Sequence, residues 1–458
     1  MIQKDMFISQ FLEEKINQLI MINYIPNIIF ILIFSFAIIF FLKNILKLRK
    51  VILMGKSVNR SDRKLDRLKN MIRIALGQSK MVTKPISGIL HVVVYVGFII
   101  INIELLEIVI DGAIGSHRFF SKYMSIGLYN FLIGFFEFFA LLVLIAVVIF
   151  WIRRNILKIK RFLSREMKGW PKFDADNILY FEIVLMLLFL SMNATDLILQ
   201  KREFYSQAGF FPISSFLVPI FEPFSTQTVY ILERSFWWLH IIGILFFLNY
   251  LYYSKHLHIL LAFPNTYYAN LEDKGKFGIL ESVKNEVLLM FFPEKAQKED
   301  NNQVEKFGAS DVLDLNWFQL MNAYSCTECG RCSDECPANI TGKKLSPRKI
   351  MMDTRDRLEE VSRNISKNNG VFKEDGNQLL DNFISREELW ACTSCNACVD
   401  ACPINIDPLS IIMRMRQYLI MEESSAHSDL NNMMNNIENN GAPWPFNQQD
   451  REVWIQEP

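Results

Sequence analysis

The stretch CTECGRCSDECP, residues 326–337, recurs at 392–403 as CTSCNACVDACP. Both read C-x2-C-x2-C-x3-C-P, a spacing in which three thiolates wrap one face of a four-iron cube and the fourth cysteine serves the other cluster. Two [4Fe-4S] clusters are therefore expected. One would be held by Cys326, Cys329, Cys332 and Cys402, the other by Cys392, Cys395, Cys398 and Cys336. Zinc fits poorly, because structural zinc sites present two C-x2-C pairs and not three evenly spaced thiolates with a distant fourth. The small residues Gly330 and Ala397 are read as leaving room for backbone N–H groups to approach the cluster, and the proline after each fourth cysteine as turning the chain away. All eight cysteines of the chain are spent in these two runs, a metal pattern and not a disulfide framework.

Between the runs lie 55 residues. Ile350, Met351, Leu358 and Val361 fall there on a helical period, and 408–421 reads as another helix, so the cluster domain (316–425) is a mainly α-helical variant with a two-cluster ferredoxin-like core. The tail 426–458, rich in asparagine and carrying Trp444 and Trp454, is read as weakly structured and available to dock a partner. Upstream, 261–315 is a linker with an amphipathic helix over 277–292, followed by the polar run 295–305.

Residues 1–260 are of a different kind. The whole chain of 458 residues is 51% hydrophobic and holds 38 phenylalanines, an excess that points to lipid. Five apolar runs, near 25–42, 86–110, 126–151, 178–199 and 230–253, are each long enough to span a bilayer. Residues 43–84 hold 13 lysines and arginines and 153–172 hold eight, whereas the other three flanks hold two each. Such sorting predicts a multi-pass protein of the cell (inner) membrane, with its N-terminus outside and its iron–sulfur domain in the cytoplasm. A cleavable signal peptide is not expected, since the first apolar run is already of span length. A net charge of +1 offers no global field for nucleic acid.

Polar residues inside the spans are costly and so mark function or helix pairing. His91 lies one and a half turns into the second span, and His240 and His258 lie on or just beyond the fifth. Their separation of 18 residues would put both on one face of a continuous helix. A b-type haem needs two imidazoles at equal depth on facing helices, and His91 with His258 meets that demand. A second haem would need a partner for His240 about ten residues beyond His91, where the chain reads Phe98, Ile99, Ile100, Ile101, Asn102. The alternative is that these histidines bond helix to helix without haem. Glu104, Glu107, Glu137, Glu182 and Asp196 could each exchange protons at a quinone site, with Glu137, deepest in its span, the leading candidate.

The stretches at 326–352, 392–409 and NNIENNGAPW at 435–444 resemble the C subunit of heterodisulfide reductase and related iron–sulfur subunits. The membrane half is similar to the gamma subunit of respiratory nitrate reductase, the match resting on SKHLHI (254–259) and the spacing of His240 and His258. The second resemblance implies haem ligation by His91 and His258, and exchange of electrons with a quinone. The first implies a separate partner carrying CCG motifs, which are absent here, as is any glycine-rich nucleotide fingerprint. The expected function is electron transfer between a quinone pool and a soluble Cys-rich or flavin subunit, through two clusters and a haem b, with substrate chemistry on the partner. The competing reading is a membrane-anchored iron–sulfur protein for assembly or regulation of another complex, without haem or quinone chemistry.

Overall fold

The computed structural model describes residues 2–273, 275–279, 281–295 and 306–456. Residues 296–305 of the expected polar run, and the last two residues of the tail, lie outside the described residues. Among the described residues the chain is helical and contains no strand, only two isolated bridges. It divides into two compact units. The first is Met1–Val51, Arg63–Ala269 and Tyr324–Gly330; the second is Ile52–Asp62, Asn270–Ala323 and Arg331–Pro458.

In the first unit α1 (Ile2–Ile52), a short α2 (Lys64–Met71), α3 (Pro85–Ile114), α4 (Ile126–Asn155), α5 (Trp170–Lys201), α6 (Thr226–Tyr250) and α7 (His258–Tyr267) follow in order. Five helical segments are long and apolar enough to cross a membrane: Tyr24–Ile52, Pro85–Ile114, Ile126–Asn155, Trp170–Lys201 and Thr226–Tyr253. At about 1.5 Å per residue, 30 residues reach about 45 Å, more than the hydrocarbon thickness. Local chemistry sets the ends. Pro85 and Pro171 sit in first turns, where their missing N–H costs nothing, and the Ser225 hydroxyl accepts the Thr228 N–H at the start of α6. Gly115 ends α3 in the left-handed conformation, φ 80°, that side chains avoid. α5 packs against α4 and α6, and α3 against α4. Their inner faces meet in a core of Ile133, Phe136, Ala140, Phe189 and Ile241, whereas Leu32, Phe36 and Phe131 stand outward, as a lipid-facing surface requires.

The helix expected to carry His240 and His258 on one face is interrupted. After α6 and a single 3-10 turn, Ser254 is extended (φ −116°, ψ 160°), and its hydroxyl accepts the His256 N–H to start a new turn leading into α7. Asp174 holds the break, accepting from the Tyr250 hydroxyl (2.7 Å) and the Lys255 N–H (3.0 Å). The five-turn alignment of the two histidines therefore does not apply.

The second unit contains α8 (Glu281–Phe291), α10 (Pro347–Lys367), α11 (Pro408–Met421) and α12 (Ser428–Asn440), with most of α9 (Trp317–Ser325). Ile350, Met351, Leu358 and Val361 are buried on one face of α10, and Ile411, Ile412, Met415 and Leu419 line α11. Arg357, buried to its tip, joins this core to the surrounding loops by pairing with Asp311 and Asp375 (both 2.8 Å) and the Asn377 carbonyl. Gly308 (φ 82°) lets the chain pass α11, because a Cβ there would stand 2.3 Å from the Tyr418 nitrogen. The basic segment 52–62 belongs to this unit. Lys56 bonds through its N–H to the Leu315 carbonyl (2.8 Å) and through its carbonyl to the Trp317 N–H (3.1 Å).

Candidate functional site

The cysteine runs share one backbone built from different residues. Glu328 and its counterpart Ser394 have φ of 55° and 57°, and Gly330 and its counterpart Asn396 have φ of 76° and 62°. Two left-handed residues in each run give the backbone the kind of turn that can present N–H groups to anionic sulfur. The residue matched to Gly330 is thus Asn396 and not Ala397, which already opens the short helix Ala397–Ala401. Asparagine tolerates the left-handed region better than most side chains, which is why composition concealed the equivalence.

In the second unit the Cys336 thiol, although it belongs to the first run, acts electrostatically on Cys392 and Cys398. Burial pushes the Cys398 thiol up, with Asp407 and the thiols of Cys392 and Cys336 adding to it. Burial likewise raises Cys392, against the Ser394 N–H, which donates to its sulfur (3.4 Å), and the charge of Arg416. The Ile406 N–H donates to the Cys402 sulfur at 3.3 Å. Backbone donors on sulfur and a nearby cation favour thiolates, so the donor set fits an iron–sulfur cube. Among the described residues no three His, Cys, Asp or Glu side chains are grouped to hold a single metal ion. The thiolates of a cube bind separate irons and need no common centre.

In the first unit the rings of His91 and His258 stand 6.4 Å apart, centre to centre, with planes 44° apart. Two nitrogens each about 2 Å from one iron, with about 1 Å from nitrogen to ring centre, would give about 6 Å, so the spacing fits two axial ligands. The Lys255 carbonyl stands 3.0 Å from His258 Nδ1, a bond that leaves Nε2 for a metal. Burial holds the His258 imidazole below the usual histidine range, which favours the neutral form a metal ligand needs. His240 is buried elsewhere in the bundle, hydrogen-bonded to the Leu185 backbone with its ring 5.7 Å from Phe189. The structure thus brings His91 and His258 together and leaves His240 apart.

Lys255 also reaches the first cysteine run. Its Nζ donates to Glu328 Oε2 (2.6 Å), between Cys326 and Cys329, and to the Pro171 carbonyl (2.7 Å), all within the first unit.

The proton-bearing candidates separate sharply. Glu137 is consumed by structure: it accepts from the Ile213 and Ser214 N–H groups (2.8 and 3.1 Å) and from Asn193 (3.2 Å). Glu104, Glu107 and Asp196 instead line a cavity of about 380 Å³ near the C-terminal end of α3 and the N-terminal end of α6. Arg118 enters there from the loop after α3. It donates to Asp196 (2.8 Å), Asn193 (2.7 Å) and Glu104 (3.2 Å). His117, Glu233 and Arg234 join it in the polar lining. Sequence reasoning missed these four residues. The only signal was a short loop carrying His117 and Arg118 between two spans, which read as topology and not as a site.

Residues 325–406 match the family described as 4Fe-4S dicluster domain. The chain is 29% identical over 460 residues to "Probable iron-sulfur-binding oxidoreductase FadF" of Bacillus subtilis (strain 168), covering 94% of this chain and 61% of that protein. It is 23% identical over 437 residues to "EtfAB:quinone oxidoreductase" of Syntrophomonas wolfei, covering 90% and 57%. A protein of Archaeoglobus profundus, named for its likeness to the C subunit of heterodisulfide reductase, is 25% identical over 142 residues, 31% of this chain and 61% of that one. The chain thus spans about three-fifths of the length of the curated relatives it matches. No solved structure matches. Together with the helices, these findings describe a multi-pass membrane domain fused to a 4Fe-4S dicluster domain, with an iron–sulfur electron-transfer role.

Proposed function

We propose that the chain carries electrons between a membrane quinone and a Cys-rich or flavin redox partner, through two [4Fe-4S] clusters and one haem b. The observation that carries this reading is Lys255. Its carbonyl holds one imidazole of the His91–His258 pair while its ammonium pairs with Glu328 inside the first cysteine run. A single residue thus joins the end of the membrane bundle to a cluster-ligating segment. Cys326, Cys329, Cys332 and Cys402 would hold one cluster, and Cys392, Cys395, Cys398 and Cys336 the other, with His91 and His258 as axial ligands of the haem. Bound clusters and haem supply one-electron carriers. The residues' own part is to exclude water, hold the imidazole by its Nδ1 and present N–H groups to sulfur. The likeness to a quinone oxidoreductase supports the membrane-side substrate, and the basic segments 43–84 and 153–172 support an inner-membrane placement with the clusters in the cytoplasm.

The test is a dithionite-reduced minus oxidised spectrum of anaerobically purified protein, with iron and acid-labile sulfide content. A haem b α-band lost in His91→Ala and in His258→Ala, but kept in His240→Ala, is expected. About eight irons per chain with no haem band in the wild type would refute the haem and leave the membrane-anchor reading in its place.

A further inference from the structure

The cavity at the Arg118 end of the bundle has a chemistry that selects its occupant. One wall is aromatic, formed by Phe30, Trp237 and Trp238, with ring centres 5.7 Å (Phe30–Trp237) and 6.3 Å (Phe30–Trp238) apart. The same lining holds five carboxyl side chains against two guanidinium groups, which disfavours an anionic ligand and favours one that donates hydrogen bonds. Most of these acids are already satisfied. Glu107 accepts from the Phe120 N–H and the Tyr129 hydroxyl, and Asp111 from Ser116 and two N–H groups. Glu233 is paired with Arg234. Glu104 is different: its Oε1 takes the Arg118 bond at 3.2 Å, whereas its Oε2 is buried and accepts nothing. A buried carboxylate oxygen without a donor is a costly feature unless a ligand supplies one. At about 380 Å³ the space suits a ring-sized molecule and far exceeds an ion.

We infer that this cavity binds a hydroquinone between the aromatic wall and the acids, with Glu104 Oε2 accepting the proton of one ring hydroxyl. The inference rests on the quinone-linked reading above and adds the site and its proton acceptor. Oxidation of the hydroquinone releases two electrons and two protons. The two electrons would leave one at a time for the haem that His91 and His258 would hold and the clusters that the cysteine runs would hold, one proton would go to Glu104, and the second to His117. That imidazole stacks on Tyr205 at 4.0 Å, stands 3.4 Å from Asp196 and is 26% exposed, giving it a counter-charge and a way out for the proton. The site lies 13 residues along α3 from His91, about 20 Å, toward the opposite end of the bundle.

The test uses the full, cluster-loaded chain in lipid nanodiscs, with duroquinol as reductant and an azidoquinone as photolabel. Wild type should be reduced by duroquinol, and the label should fall within residues 26–30, 104–118, 192–196 or 230–238. Glu104→Gln keeps an oxygen for Arg118 but cannot take the proton. It should keep the label and the dithionite-reducible clusters while duroquinol reduction slows by about a hundredfold or more. An unchanged rate in Glu104→Gln overturns the proton role, and labelling confined to other segments in a wild type that duroquinol reduces overturns the site alone. A wild type that duroquinol neither reduces nor protects from labelling overturns the quinone reading itself.

Discussion

Replacing Lys255 by methionine keeps an unbranched side chain of nearly the same length and removes its charge. The side chain is 10% exposed and Glu328 is 3% exposed, so their 2.6 Å contact is a buried ion pair. Breaking such a pair by deleting one member costs about 3–5 kcal/mol, because the other charge stays buried. Arg154, whose charge also acts on Glu328, takes up part of the loss, which places the expected cost near the low end, about 3 kcal/mol. At about 1.4 kcal/mol per tenfold, local opening around Tyr324–Gly330 becomes about a hundredfold more frequent. Hydrogen exchange of a peptide covering that segment, followed by mass spectrometry in nanodiscs, reads the opening directly and needs no global unfolding. The double variant Lys255→Met with Glu328→Gln removes both charges and should exchange more slowly than Lys255→Met alone. Exchange of Lys255→Met within threefold of wild type, or a double variant faster than the single one, would refute the argument.

Cys336→Ser should damage the EPR signal of the cluster built mainly from Cys392, Cys395 and Cys398, and Cys402→Ser that of the other; each affecting only its own run's cluster would rule out the exchange. Burial raises Asp353 to about 6, outweighing its 2.6 Å pairing with Lys349. Between about pH 4 and 6 the folded state keeps a proton that the unfolded state has lost, so stability falls by about 2–3 kcal/mol as pH rises through that window. Asp353→Asn should flatten this dependence in the hydrogen exchange of α10 once intrinsic rates are corrected, and an unaltered slope would contradict it. A cysteine placed at the exposed Ser428 should react with an impermeant maleimide only in inside-out vesicles; labelling from the outside alone would reverse the topology.

The elements with strong periodic or compositional signals were legible without coordinates. Five apolar segments and two cysteine runs announce themselves because lipid and iron–sulfur cubes each impose a demand on consecutive residues. That His91 and His258 lie near each other was legible from their depth in the spans. Depth could not reveal that Ser254 breaks the last span, since serine is compatible with a helix and the break depends on Asp174, 80 residues earlier in the chain. Nor could it choose among the buried acids. Glu137 is the deepest in its span, yet two N–H groups of the 213–214 turn engage it, whereas Glu104 takes Arg118 on one oxygen and leaves the other bare. Which acid is satisfied is decided by loops whose paths no periodicity records.

The paired left-handed residues of the cysteine runs bear on how the protein is assembled. Glu328, Ser394 and Asn396 hold a conformation that costs an ordinary side chain about 1–2 kcal/mol, the cost being least for asparagine. The Lys255–Glu328 pair and the Ser394 N–H bond to the Cys392 sulfur offset part of that cost, and a bound cluster would offset more by receiving the N–H groups on anionic sulfur. Each run is therefore a mould that is tightened when it is filled, and iron–sulfur delivery couples to folding. Maturation factors would then meet two pliable hairpin-sized segments, and the interlocked fourth ligands would make insertion of either cluster organise the seat of the other.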